Sequence, residues 1–87
     1  MKYRSRTEIY ACILESATEK GIGLTKIMYV NFLSYNQVKY FLKLLIDNGM
    51  LEYDKNQRFY RTTKKGLQYL ELYRRMEELL KIDSLNA

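Results

Sequence analysis

The sequence predicts an α+β fold in which three helices, a two-stranded hairpin and a long closing helix form one domain over residues 1–87. Three observations predict it. Apolar residues recur at helical spacing along most of the chain, and the spacing changes to alternation only near residues 51–61. At two of the predicted helix starts, Glu or Gln lies three positions after a serine, which is typical of such starts. The chain contains no proline, so we expect short connections and no kinked helix.

The first helix begins at Ser5. Ser5 and Glu8 fit a capping box, in which each side chain satisfies a backbone N–H group that the first helical turn leaves unpaired. Apolar residues at positions 9, 13 and 17 then form a stripe that lasts until the glycines at 21 and 23. We therefore expect a first helix of about 15 residues.

The second and third helices are predicted to form a helix-turn-helix pair. A short helix fits residues 25–30, and residues 31–33 make the turn. Ser34 caps the third helix, Gln37 completes a second capping box, and Leu33 and Val38 fit the hydrophobic staple that brackets a helix start. Gly49 follows the last apolar turn, and glycine most readily adopts the left-handed conformation that ends a helix. The third helix thus covers residues 34–48.

After Gly49 the spacing of apolar residues changes from helical to alternating. Leu51 and Tyr53 precede a polar turn at residues 54–57, and residues 58–61 follow it, so the pattern predicts two short strands joined as a hairpin. A helix-turn-helix followed by such a hairpin is a winged helix-turn-helix, in which the hairpin is the wing. This core covers residues 5–62.

The last helix is predicted to run from residue 63 to about residue 82. Several of its apolar residues recur at intervals of three and four, as in helices that pair with each other. Their apolar face is wider than one small domain needs to cover, and we expect a second copy of the chain to cover the rest. The predicted dimer interface consists of Tyr69, Leu72, Tyr73, Met76, Leu79 and Leu80.

The composition argues against most catalytic and metal sites. The chain has no His, one cysteine and no glycine-rich phosphate loop, so we expect no catalysis, no metal and no cofactor. Cys12 falls in a helical pattern, and a small buried or half-buried thiol is its simplest role, with reactive or intermolecular use as the alternative. No segment has the roughly 20 apolar residues of a membrane helix. The first ten residues lack the apolar segment of a secretory signal, so we expect a cytoplasmic protein.

Positive charge is concentrated in the middle of the sequence. Residues 24–66 carry eight Lys and Arg against three Asp and Glu, whereas the flanking segments are close to neutral. A basic middle predicts a face that binds a polyanion. A surface charge that only keeps the protein soluble is the alternative.

The third helix carries the predicted DNA-reading face. At about 100° per residue, Val38, Phe41, Leu42 and Leu45 share one side, which we assign to the core. The opposite side carries amides suited to base edges and ammonium groups suited to phosphates. The candidate residues are Tyr35, Asn36, Gln37, Lys39, Tyr40 and Lys43. A merely solvated helix face is the alternative, and Tyr35 could instead pack beside Leu33.

Further cations lie in the wing and at the start of the last helix. The tip of the hairpin could reach a minor groove or the DNA backbone, although a solvated turn has much the same composition. Lys64 and Lys65 fall in a first helical turn, where each cation opposes the helix dipole by about 0.3–1 kcal/mol. A nearby phosphate would reverse the sign of that effect, and a merely solvated pair of lysines is the alternative. The candidate contacts are Lys55, Asn56, Arg58, Arg61, Lys64 and Lys65.

Four stretches of this chain, TKIMY at 25–29, LSY at 33–35, YFLKLLIDNG at 40–49 and TKKGL at 63–67, occur together. In this combination the sequence resembles the small archaeal winged-helix proteins of the 10a chromatin type and related predicted transcription regulators. The resemblance implies a dimeric DNA-binding protein whose long C-terminal helix pairs antiparallel with that of its mate. The C-terminal helix here is shorter than in the 10a proteins, which leaves the mode of pairing open.

The sequence therefore predicts a homodimeric winged helix-turn-helix protein that binds double-stranded DNA as a transcription regulator or chromatin-associated protein. Helix 34–48 would enter the major groove, and wing residues 54–58 would contact the backbone or minor groove. A winged helix that serves as a protein-interaction adaptor is the alternative. A DNA reader should present Lys39, Lys43, the wing and Lys64/Lys65 on one continuous surface, and an adaptor need not.

Overall fold

The computed structural model describes residues 5–86, with side chains described for residues 5–80. The elements follow in the predicted order, with three helices, a two-stranded antiparallel sheet and a long last helix. They are α1 (Arg6–Ser16), α2 (Leu24–Asn31), α3 (Tyr35–Asp47), β1 (Leu51–Asp54), β2 (Phe59–Thr62) and α4 (Lys64–Asn86). The predicted α+β winged helix is confirmed. Among these elements no helix combines the length and apolarity needed to cross a membrane.

Helix α1 starts as predicted but ends earlier. The Ser5 hydroxyl accepts a hydrogen bond from the Glu8 N–H, which is the Ser5 half of the predicted capping box. The expected length of about 15 residues is wrong, because α1 has 11. A hydroxyl group takes the place of the next helical donor: Thr18 Oγ1 donates to the carbonyl of Leu14, while the Thr18 N–H donates to that of Glu15, so the α-helical hydrogen bonds stop there.

Helices α2 and α3 form the helix-turn-helix. Phe32 ends α2 in the left-handed conformation, with φ of 55°. The capping box at the start of α3 is confirmed, since Ser34 Oγ accepts from the Gln37 N–H and Gln37 Oε1 accepts from the Ser34 N–H. Gly49, with φ of 76°, follows the other end of α3. There the Met50 N–H donates to the carbonyl of Leu45, as in a Schellman motif.

The wing pairs Leu51 with Thr62 at its base and Asp54 with Phe59 at its tip. Four residues, 55–58, form the turn, so Arg58 belongs to the turn rather than to the second strand. Ile22 adds an antiparallel bridge to Tyr60 on the outer edge of β2. The sequence pattern did not predict this bridge, because Ile22 stands alone between two glycines.

The core lies where α1, α2 and α3 meet the base of the wing. All four predicted core residues of α3 are buried, together with residues of α1, α2, β1, α4 and the connecting segments: Ala11, Ile13, Leu14, Ala17, Ile22, Ile27, Leu33, Val38, Phe41, Leu42, Leu45, Leu51 and Leu70. Thr62 ties the wing to α1, because its hydroxyl donates to the carbonyl of Leu14 over 2.6 Å. The position of the wing relative to α1 is thus set by a buried hydrogen bond.

Helix α4 packs on α1 through its first half and runs past the domain with its second half. Leu70 is buried in the core, and Tyr69 donates a hydrogen bond to the carbonyl of Thr7. Arg74 pairs with Glu15 of α1, its Nη2 donating to both carboxylate oxygens at 2.9 Å. The helix ends at Asn86, four residues beyond the predicted residue 82.

Candidate nucleic-acid interface

The outer face of α3 carries the predicted DNA-reading residues, and all of them are exposed. Asn36, Tyr40 and Lys43 lie opposite the buried side of the helix, as the sequence predicts. Lys43 pairs with Asp47 one turn further on, at 3.1 Å. Such an exposed i,i+4 pair contributes about 0.3–0.5 kcal/mol, so a phosphate can compete with Asp47 for the ammonium group.

One flank of α3 forms a groove with the wing. The groove is lined by Leu24, Tyr35, Lys39, Leu42, Lys43, Ile46, Asp47 and Tyr60. The ammonium group of Lys39 lies 5.3 Å from the centre of the Tyr35 ring. Lys39 and Lys43 are thereby brought next to the wing. This is the part of the predicted continuous surface that the structure brings together.

The turn at the tip of the wing is ordered by hydrogen bonds. Asp54 Oδ1 accepts hydrogen bonds from the N–H groups of Asn56 and Gln57, at 2.9 and 3.2 Å. Arg58 closes the turn in the left-handed conformation, and its N–H donates to the carbonyl of Asp54. Lys55, Asn56 and Arg58 are exposed at this tip. Their side chains therefore project from a fixed backbone.

Arg61 is not on the α3 side of the wing. Successive side chains of a strand point to opposite faces, and Tyr60 faces the groove beside α3. Arg61 therefore points to the other face, across from Glu52 on β1. Tyr60 and Arg61 thus lie on opposite faces of the wing, and Arg61 is not on the surface that carries Lys39 and Lys43.

Lys65 lies at the far end of α3. Its aliphatic chain approaches Gly49, which follows the C-terminus of α3. That end of a helix dipole attracts cations, and this offsets the unfavourable dipole of α4 itself. The position of Lys65 near the C-terminus of α3 thus explains a positive charge that the dipole of α4 alone would disfavour. Gly49, which Lys65 approaches, lies ten residues after Lys39, or about 15 Å along α3 at 1.5 Å per residue. Lys64 is exposed beside Lys65.

Besides Lys43, Lys39 and Tyr35, two further candidate residues of α3 have partners within the chain. Gln37 uses its side-chain oxygen in the capping box, which leaves only its NH₂ group for a base edge. Tyr40 is half exposed, and the guanidinium group of Arg6 lies 5.6 Å from the centre of its ring. Asn36 has no such engagement among the described residues.

Sequence reasoning missed two residues of this surface. Tyr60 faces the groove and lies 4.7 Å from the Tyr53 ring, centre to centre. Burial raises the pKa of the Tyr60 hydroxyl, and the neighbouring Tyr53 and Tyr35 raise it further, so Tyr60 stays a neutral donor. The alternation along both strands could have indicated Tyr60. Arg6 had no local signal, because only folding places α1 beside α3.

The six predicted interface residues of α4 divide into two groups. Tyr69 and Tyr73 pack against the core of their own domain, and Tyr69 also contacts the Tyr10 ring. The other four are more than half exposed: Leu72, Met76, Leu79 and Leu80. These four form the exposed α4 stripe, which no part of the described chain covers.

Among residues 5–80, whose side chains the structure describes, no group of three or more Cys, Asp or Glu could hold a metal ion. Cys12 is half-buried, next to Tyr73 and Arg74 in the shallow groove between α1 and α4.

Comparison with known proteins places this geometry in context. A family model described as winged helix-turn-helix matches residues 3–81, which include all of the interface and the exposed α4 stripe. A search of curated proteins found no match.

Proposed function

We propose that this chain, which belongs to the winged helix-turn-helix family, binds double-stranded DNA with α3 in the major groove and wing residues 54–58 on the backbone or minor groove. It would do so as a homodimer, in the cytoplasm and associated with the nucleoid. Its role would be that of a transcription regulator or a chromatin-associated protein, as in the archaeal 10a type that its sequence resembles. The proposal includes no catalysis and no cofactor.

One observation carries the proposal: Lys39 and Lys43 project from the exposed face of α3 beside the wing. The start of α3 is fixed by its capping box and the base of the wing by a buried hydrogen bond. The lysines therefore project from fixed elements. A major groove about 12 Å wide admits one helix, with phosphates on either side of it. Lysines on the flank of such a helix are placed for those phosphates.

Phosphate contacts should supply most of the affinity. With roughly three to five cations engaged per protomer, a dimer neutralises about six to ten phosphates. The slope of log K against log salt concentration is then about −5 to −9. Lys39, Lys43, Lys55 and Arg58 lie on α3 and the wing tip and are the first candidates.

Sequence dependence should come from the amides at the start of α3. Asn36 is the cleaner test, because Gln37 also caps the helix and its loss would lower stability. We expect Asn36→Ala to leave the salt slope unchanged and to narrow the gap between specific and random DNA by about 1–3 kcal/mol per lost base contact. An unchanged gap would mean that Asn36 reads no base.

The experiment that tests DNA binding is a titration on random-sequence DNA and on DNA from the protein's own promoter, each at two salt concentrations. Lys39→Gln and Lys43→Gln should each lower the affinity and reduce the slope on both DNAs. Arg75→Gln is the matched control, since it removes one exposed arginine charge from α4. Binding that is independent of salt, or undiminished in the Lys39→Glu/Lys43→Glu double variant, would refute the proposal and favour the adaptor alternative.

The exposed α4 stripe supports the homodimer. A fully buried Leu or Met side chain contributes about 1.5–3 kcal/mol, and four such residues per protomer lie more than half exposed. Pairing with the same stripe of a second copy would remove them from water. It would also add apolar core to a chain of only 87 residues.

A further inference from the structure

We propose that Arg6 is a further DNA phosphate contact, held by Tyr40 on the flank of α3 opposite the wing. The inference rests on the proposed DNA binding and extends its surface to α1. No local pattern in the sequence indicates it, because Arg6 and Tyr40 belong to helices that only the tertiary fold brings together.

The geometry starts from the position of Tyr40 on α3. Lys39 faces the wing, and the next residue along a helix points about 100° away from it. Tyr40 therefore leans to the other flank, where the first turn of α1 approaches. There the Arg6 guanidinium carbon lies 5.6 Å from the centre of the Tyr40 ring. The aromatic ring is half exposed and Arg6 is exposed, so both border the outer face of α3.

The contact leaves the arginine able to bind an anion. A guanidinium group over an aromatic ring uses its flat face, while its five N–H donors lie in the plane and remain available. Among residues 5–80, no carboxylate lies within ion-pair distance of Arg6, whereas Arg74 and Arg75 each have one. Arg6 is thus a cation with a fixed orientation and an uncommitted donor edge.

The location matches what a helix in the major groove requires. Such a helix has one phosphate backbone on each side, and the wing serves only one flank of α3. Arg6 supplies a donor on the other flank, beside the ring that could itself face the groove. A cation in the first turn of α1 also opposes the dipole of that helix, and a bound phosphate reverses the sign of this effect.

The test is Arg6→Gln, measured by salt titration on random-sequence duplex DNA. Losing one phosphate contact per protomer should reduce the slope of log K against log salt by about 0.9 for each protomer bound. The affinity per protomer should fall about 15-fold at 0.05 M salt and only about 4-fold at 0.2 M salt. Arg75→Gln removes the same charge from α4 and should leave the slope unchanged. Equal slopes for Arg6→Gln and the wild type would overturn the proposal.

The role of the ring is tested by repeating Arg6→Gln in a Tyr40→Leu background. If the ring holds Arg6, the loss on removing Arg6 should be several-fold smaller there than in the wild type. An identical loss in both backgrounds would refute the positioning by Tyr40. Urea unfolding of the wild type, the two single variants and the double variant should show that all four are fully folded under the titration conditions. A change in affinity is then not caused by a loss of stability. Failure of the wild type to bind DNA would instead refute the proposed function itself.

Discussion

Gly66 offers the sharpest test of how α4 is joined to the wing, through the substitution Gly66→Ala. Gly66 is buried in the first turn of α4. A methyl group there would lie 2.6 Å from Thr62 Cγ2 and would also collide with the carbonyl oxygen of Met50. That carbonyl accepts a hydrogen bond from the Thr63 N–H, at 3.0 Å. The new methyl group therefore has to displace the Met50 backbone, which lies just before β1 and holds the start of α4 through this hydrogen bond.

Two opposing effects decide the sign of the change. On an open helix, Gly→Ala stabilises by about 1 kcal/mol. Against this, overpacking costs about 1–3 kcal/mol. Loss of the Thr63 to Met50 hydrogen bond, if it leaves buried groups unpaired, costs a further 1–3 kcal/mol or so. We expect Gly66→Ala to lower the free energy of unfolding by about 1–5 kcal/mol, because the steric terms outweigh helix propensity.

The assay is urea and thermal unfolding followed by far-UV circular dichroism, at one fixed protein concentration because a dimer's stability depends on concentration. The melting temperature should fall by at least about 4 °C, at 4–8 °C per kcal/mol for a domain of this size. Gly23→Ala is the control, since its added methyl group would meet nothing closer than the Arg58 carbonyl at 4.0 Å. It should cost less than about 1 kcal/mol. A Gly66→Ala protein as stable as the wild type would refute the close approach.

Three further predictions follow from other parts of the molecule. Met76→Glu places a carboxylate in the exposed α4 stripe, so sedimentation should find monomers where the wild type is dimeric, and a dimeric variant would count decisively against the proposed interface. Burial raises the pKa of Tyr73 to about 12, with smaller contributions from Glu77, Glu8 and Cys12. A raised pKa favours the neutral phenol in the folded state. The contribution of Tyr73 to the free energy of unfolding should therefore be fully present below pH 10 and decline from pH 10 to 12. Urea unfolding across this range should show a less steep decline in Tyr73→Phe than in the wild type. Chelator should leave DNA binding unchanged, and one metal per chain, found by elemental analysis and lost together with binding, would contradict this.

Much of the interface followed from short stretches of sequence. The cap at Ser34, the buried side of α3 and the hairpin between β1 and β2 depend on residues no more than a few positions apart. Such features obey local rules of hydrogen bonding and of helical or strand periodicity. The exposed face of α3 was therefore predictable residue by residue. The end of α1 was not, because the Thr18 hydroxyl binds the Leu14 carbonyl before the chain reaches the glycine at 21, where the sequence favoured the end of the helix.

The sequence by itself determined the order of the helices and strands and which face of α3 is polar, since these properties come from neighbours along the chain. Only the tertiary structure decided which surfaces meet. It placed Arg6 over Tyr40, Lys65 at the end of α3, and Tyr69 and Tyr73 against their own core rather than in the exposed α4 stripe. These arrangements depend on how helices distant in sequence pack, and packing is set by the shape and volume of the whole core. A cation's position along the chain indicates its charge, but the fold determines which partner that charge can reach.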